Sequence, residues 1–227
     1  MIKLTFLYNV VIDLLFPKMC ELCDKIISSR QIPVCYQCIA TISKANFKNL
    51  EKNPLKNKLY DIPNLKYCIS LFSFQKESKT QQLIHKLKYQ SKKNVGLFFA
   101  SELARKIKDE KIHFDFLIAL PMHKIKEKKR GYNQTDIITE SLSEKIGVPV
   151  LHIIEKYVDT ESQTKKSNYQ RWINQEKKFK LYDIYNIKQK HLLIIDDVMT
   201  TGATMHSCLK LFEDKDVIVS VACIAYA

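Results

Sequence analysis

Residues 192–204 read Leu-Leu-Ile-Ile-Asp-Asp-Val-Met-Thr-Thr-Gly-Ala-Thr. The four apolar residues Leu192 to Ile195 have the length and character of a strand buried on both faces. Two carboxylates, Asp196 and Asp197, stand at its end, and Val198 to Thr204 then turn into a helix predicted over Ala203 to Glu213. A turn from strand to helix leaves backbone N–H groups unpaired where the helix dipole also favours negative charge. Thr200, Thr201 and Thr204 add hydroxyl donors, and Gly202 lets the backbone approach an anion that a side chain would keep away. Such a turn cradles a phosphate. The adjacent carboxylates must then address neutral or cationic parts of the same ligand, and ribose hydroxyls with a bound magnesium ion satisfy both. The Gly-x4-Gly-Lys-Ser/Thr spacing of a nucleotide P-loop is absent. Helix capping alone would account for one aspartate, but for neither the second nor the threonine cluster. A phosphorylated sugar is the expected ligand.

Working outward, strands and helices alternate. Tyr67 to Phe74 alternates as a strand does, and Gln81 to Ile107 carries helical periodicity with a break around Gln90 to Asn94. Phe114 to Leu120 is a short apolar run, read as a strand, followed by a polar loop from Pro121 to Gln134. Thr135 to Ile146 reads as a helix stopped by Gly147 with Pro149 beyond it, then Val148 to Ile154 and Val217 to Tyr226 read as further strands. The alternation predicts an α/β fold, a mostly parallel sheet with helices on both faces. Ligands of such sheets sit at the carboxyl ends of the strands, so the loops 121–134, 157–180 and 196–204 are expected around one crevice.

Four of the seven cysteines fall close together as Cys20-Glu-Leu-Cys23 and Cys35-Tyr-Gln-Cys38, two C-x2-C knuckles separated by eleven residues. Each knuckle presents two thiolates on one side of a tight turn, and four thiolates complete a tetrahedral zinc site. The expectation is a structural zinc held by Cys20, Cys23, Cys35 and Cys38, stapling a segment too short to build its own core. A disulfide pair is the weaker reading, because nothing marks the chain for export. Cys68, Cys208 and Cys223 are expected to be buried thiols. A lysine- and asparagine-rich connector over 39–60 leads to the predicted division: an N-terminal helix and zinc module over 1–55, and the α/β domain over 56–227.

With 46% hydrophobic residues among 227, the chain can bury a large core, which argues against disorder. Its net charge of +13 favours polyanionic partners, although the basic residues are nearly all lysine and base composition of the genome would produce the same bias. Residues 2–16 are too short and too interrupted, by Asn9 and Asp13, to span a membrane. They form an apolar helical stripe for docking on the protein's own core, the alternative being a peripheral contact with a membrane surface.

The Leu192 to Thr204 segment resembles the phosphoribosyl pyrophosphate motif of type I phosphoribosyltransferases. The resemblance implies ribose contacts for Asp196 and Asp197, and 5′-phosphate contacts for Thr200, Thr201, Gly202, Ala203 and Thr204. Together with the paired cysteine knuckles, Leu87-Lys88-Tyr89, Pro121-Met122-His123 and Lys129 to Gln134 (Lys-Arg-Gly-Tyr-Asn-Gln), it is similar to the ComF family of competence proteins, which is tied to DNA uptake in transformation. The implied fold is type I phosphoribosyltransferase-like with an appended zinc module. Pro121, Met122 and His123 would form the pyrophosphate loop, closed by Arg130 to Gln134. Gln163, Arg171 and Asn174 match the family's second loop, but Tyr157, Val158 and Asp159 stand where a basic residue is usual.

The implied ligand is phosphoribosyl pyrophosphate with magnesium, and the implied partners are single-stranded DNA and the DNA-uptake proteins of the cytoplasm or the inner face of the membrane. Basic loops with interleaved aromatics are the expected contacts for DNA: Lys86 to Lys93 with Tyr89; Lys128, Lys129, Arg130 and Tyr132; and Lys165 to Lys180 with Arg171 and Trp172. Two other readings stay open. One is an enzyme, with Asp196 and Asp197 as catalytic residues, that transfers the ribosyl phosphate to an unidentified acceptor. The other is a protein of nucleotide metabolism whose basic charge is compositional.

Overall fold

A computed structural model describes residues 17–27, 32–157, 178–182 and 187–227. The expected helix over 2–16, and Gln163, Arg171, Trp172 and Asn174, lie outside them. Two short helices come first, α1 (Tyr36–Ala40) and α2 (Pro54–Asn57). There follow β1 (Leu65–Ser73), α3 (Lys79–Tyr89), α4 (Lys93–Asp109), β2 (Phe116–Ala119), α5 (Lys124–Arg130) and α6 (Gln134–Ile146). The short strands β3 (Ile154–Lys156) and β4 (Phe179–Leu181) pair antiparallel. The chain closes with β5 (His191–Met199), α7 (Ala203–Leu209) with a 3-10 turn over Lys210–Phe212, and β6 (Ile218–Tyr226).

The main sheet has the order β1-β6-β5-β2, with every pairing parallel. Side chains alternate between its faces, and the apolar run of β5 divides accordingly. Leu193 and Ile195 pack with Leu83, Leu87, Phe99, Leu103, Ile138 and Leu142, beneath α3, α4 and α6. Leu192 and Ile194 pack on the opposite face with Leu55, Leu59, Met205, Leu209 and Phe212, from α2 and the residues just after it, α7 and the 3-10 turn that follows α7. A continuous apolar run is what a strand covered on both faces requires, and helices cover both faces as expected.

The structure alters several expected boundaries. The strand read over Leu192 to Ile195 continues to Met199, because β6 pairs along it with Asp196 opposite Cys223 and Met199 opposite Tyr226. The polar loop over 121–134 contains α5, whose sequence Lys-Ile-Lys-Glu-Lys-Lys-Arg has no apolar face to announce a helix. Val148 to Ile154, expected as a strand, makes one parallel bridge, Val150 to Leu117, before Ile154 enters β3. Pro149 has no N–H to donate, so it offers only its carbonyl, which accepts from Leu117 at 2.9 Å.

The cysteine segment packs on the helical layer. Cys20, Val34, Cys38, Ile42 and Leu50 are buried in the same cluster as Ile69, Leu83 and Phe99. Glu21, between the first two cysteines, is only 9% exposed and pairs with Lys86 at 3.2 Å and Lys92 at 3.1 Å, at the end of α3 and just beyond it. Burial works against the Glu21 carboxylate, yet these two lysines hold its pKa below the usual value.

Candidate functional site

The carboxylate pair sits on β5 itself, so consecutive residues point to opposite faces of the sheet end. Asp197 is buried, 4% exposed, on the face carrying α3 and α6. Its Oδ1 lies 2.9 Å from Lys88 Nζ, and its Oδ2 accepts from Gln134 Nε2 at 2.5 Å. Gln134 in turn accepts from the Arg130 guanidinium through Oε1, and that guanidinium stands 5.2 Å from the centroid of the Tyr89 ring. Tyr89, Arg130, Gln134, Asp197 and Lys88 thus form one connected chain of contacts. Asp196 accepts the backbone N–H of Asp197 at 2.7 Å. Burial, and then the neighbouring Asp197, push the Asp196 carboxyl up to about 7. Two adjacent carboxylates at the end of one buried strand, with Lys88 paired to one of them and Lys156 also acting on the other, favour further positive charge or hydroxyl donors.

Beyond Met199 the chain turns through Thr200, Thr201, Gly202, Ala203 and Thr204. All but Gly202 are exposed, so the hydroxyls of the three threonines face the open crevice side or solvent. Gly202 caps α7 with φ +84, a conformation side chains rarely adopt. A Cβ there would also lie 3.0 Å from Met199 Cε and 3.3 Å from Lys58 Cβ. Thr201 Oγ1 accepts from the Ala203 N–H at 3.4 Å.

The Leu120 N–H donates to the Ile195 carbonyl at 2.8 Å, which sets Pro121, Met122 and His123 beside the start of the acidic pair. His123 caps α5, its Nδ1 accepting from the Ile125 N–H at 3.3 Å. Its Nε2 therefore carries the proton and donates to the Tyr157 carbonyl at 2.9 Å. Lys124 pairs with Glu155 at 2.5 Å, so this loop is fastened twice to the β3–β4 ribbon. Asn133, buried at the start of α6, accepts from the Thr135 N–H at 3.2 Å and donates to Asp136 at 2.9 Å. The loops after β2 and β5 therefore meet at one crevice, and α3, which follows β1, reaches it through Lys88.

The residues expected to touch DNA have diverse surroundings. Lys128 and Lys129 are exposed on α5. Tyr132 is half-buried, its hydroxyl donating to the Leu87 carbonyl and its ring lying 5.5 Å from Lys93 Nζ. Lys86 and Lys92 are engaged by Glu21, and Lys88 by Asp197. Arg171 and Trp172 lie outside the described residues.

The four cysteines converge. The sulfurs of Cys20, Cys23, Cys35 and Cys38 all lie within 4.8 Å of one another, and no disulfide joins them. Cys23 and Cys35 are 3.7 Å apart, close to the edge of about 3.8 Å that a zinc–sulfur distance of about 2.3 Å implies for a tetrahedron. Burial disfavours the Cys20 thiolate, but N–H groups of Cys35, Leu22 and Cys23 outweigh it and lower this thiol to about 6. The group can hold a metal ion. Cys68, Cys208 and Cys223 are buried, and burial pushes Cys68 and Cys223 up to about 12.

A class follows from this architecture: residues 93–227 match the phosphoribosyl transferase domain, and the chain belongs to that family. Among its curated relatives, competence protein F of Haemophilus influenzae is 26% identical over 85% of this chain and 83% of its own length. Competence protein ComFC of Streptococcus pneumoniae is 34% identical over 52% of this chain and 51% of its own. DNA utilization protein YhgH of Salmonella typhimurium is 23% identical over 85% and 82% respectively. The resemblance to the ComF family noted in the sequence is borne out by these relatives. Sequence reasoning did not single out the Lys88–Asp197 pair or the approach of Lys58 to the turn after β5; the Leu87-Lys88-Tyr89 triplet was the one local signal for the former.

Proposed function

We propose that this chain binds phosphoribosyl pyrophosphate with magnesium in the crevice and handles single-stranded DNA entering the cytoplasm during transformation, as a ComF-type competence protein. The observation that carries the reading is the acidic pair: Asp197 is held by Lys88 and Gln134 at the mouth of a glycine-dependent turn. In this reading Asp196 and Asp197 take the ribose hydroxyls, and Thr200, Thr201, Gly202, Ala203 and Thr204 the 5′-phosphate. Pro121, Met122 and His123, with Arg130, take the pyrophosphate, whose charge magnesium neutralises. Zinc on the four cysteines is structural. Lys128, Lys129 and Arg130, beside the crevice, offer the phosphate-neutralising charge for DNA, and the names of the relatives support that context.

Melting curves test the ligand. Phosphoribosyl pyrophosphate with magnesium should raise the melting temperature, since a ligand that binds only the native state stabilises it. Asp196→Asn with Asp197→Asn should remove that shift and leave the fold intact. An undiminished shift in the double variant would reduce the carboxylates to structural roles. Recovery of the donor unchanged after incubation with nucleobases would support binding without transfer, whereas a new nucleotide product would make the chain an enzyme.

A further inference from the structure

Behind the phosphate turn lies a residue that precedes the family match. Lys58 ends α2, and the fully buried Leu55 and Leu59 on either side of it fix its backbone. Asn53, buried at the start of that helix, caps it by accepting from the Lys56 N–H at 3.0 Å and donates to the carbonyls of Leu50 and Cys68, both at 3.1 Å. From this anchored base Lys58 Nζ reaches 142 positions along the chain to the Thr200 carbonyl at 2.5 Å, and also to the main-chain oxygen of Ala227. Its stem packs against the turn, which is why a Cβ at Gly202 would crowd it.

We infer that Lys58 is a positioning residue for the phosphate turn. A trans peptide holds its C=O and the following N–H in opposite directions. The ammonium that draws the Thr200 carbonyl behind the turn therefore turns the Thr201 N–H toward the open side. Without it that carbonyl is free to rotate toward the anion, where its oxygen repels a phosphate and one donor is lost. The charge matters as well as the geometry. The helix behind the turn has 7 residues, and residues 200–204 carry no cation of their own, while Lys88 is engaged by Asp197.

The inference rests on the phosphate assignment proposed above, and three probes keep the two apart: ribose 5-phosphate, magnesium pyrophosphate and phosphoribosyl pyrophosphate. Lys58→Met should weaken ribose 5-phosphate about tenfold, the scale of one charge-assisted hydrogen bond, with magnesium pyrophosphate changed less than about twofold. Lys58→Arg should restore most of the affinity. In amide NMR spectra the Thr201 signal should move on adding ribose 5-phosphate to the wild type and stay still in Lys58→Met. Should Lys58→Met lose its fold, Lys58→Gln is read by the same criteria. Equal ribose 5-phosphate affinity in the variant and the wild type, or an equal loss for both probes, overturns the inference and leaves the ligand assignment standing. A wild type that binds neither sugar phosphate overturns both.

Discussion

Replacing Asp196 by asparagine should stabilise the ligand-free protein while weakening its hold on ligand. Burial and the adjacent Asp197 raise the Asp196 carboxyl from 3.8 to about 7. The native state therefore binds more protons than the unfolded chain between those two values. The stability this group contributes is full below pH 4, declines as pH rises, and levels off once the native carboxyl has ionised, above pH 7. At about 1.4 kcal/mol per pH unit the whole span comes to about 4 kcal/mol, an upper bound for a partly accessible group with lysines nearby. About half of that, ~2 kcal/mol, is the expected gain in Asp196→Asn at pH 8, since asparagine keeps the oxygen that accepts the Asp197 N–H and loses the charge. For a chain of this size that corresponds to a rise in melting temperature of ~4–8 °C. Thermal unfolding of both proteins at pH 8, 6 and 4 measures it, and the gain should shrink steadily toward pH 4. A variant that melts no higher than wild type at pH 8, or whose advantage is independent of pH, would show that the carboxylate is not held at a cost, and the reasoning would fail.

The cysteine cluster should hold one zinc per chain, and Cys38→Ser should lose it and melt roughly 10 °C or more lower, because structural zinc contributes folding free energy outright; metal analysis near zero in well-folded wild type would reject the site. Gly202→Ala should cost about 1–2 kcal/mol through its left-handed backbone alone and also weaken ribose 5-phosphate, which calorimetry and melting curves check together. Neutralising Lys128 and Lys129 should weaken single-stranded DNA and make the log–log salt slope shallower by about 1.4, or about 0.7 for each lost phosphate contact. An unchanged slope would remove these lysines from the DNA surface.

Much of the site was legible because it is local. The strand, the acidic pair and the glycine turn occupy thirteen consecutive residues, and each residue type answers a requirement of its immediate neighbours. The cysteine knuckles are legible for the same reason. What could not be read depends on partners brought together by the fold. Lys88 looks like any solvated lysine of a basic helix until α3 is laid over the end of β5, and Lys58 looks like part of a polar connector. Helix α5 has no apolar stripe, being fixed by the His123 cap and by Gly131 at its end rather than by a buried face. The end of β5 was placed too early because aspartate is unusual in a strand; only the pairing partner on β6 shows that the ladder continues.

The pairing of β1 with β6 has a consequence for anyone who would isolate the recognisable part of the molecule. The family match begins at Lys93, yet β6 takes one of its two neighbours from Leu65–Ser73. A fragment cut at the start of the match would leave a nearly all-apolar strand with an open row of N–H and C=O groups, the kind of border along which chains stick to one another. It would also lack Lys58 and Lys88, which approach the turn after β5 and the acidic pair. The border of the sheet therefore lies well upstream of the border of the domain match.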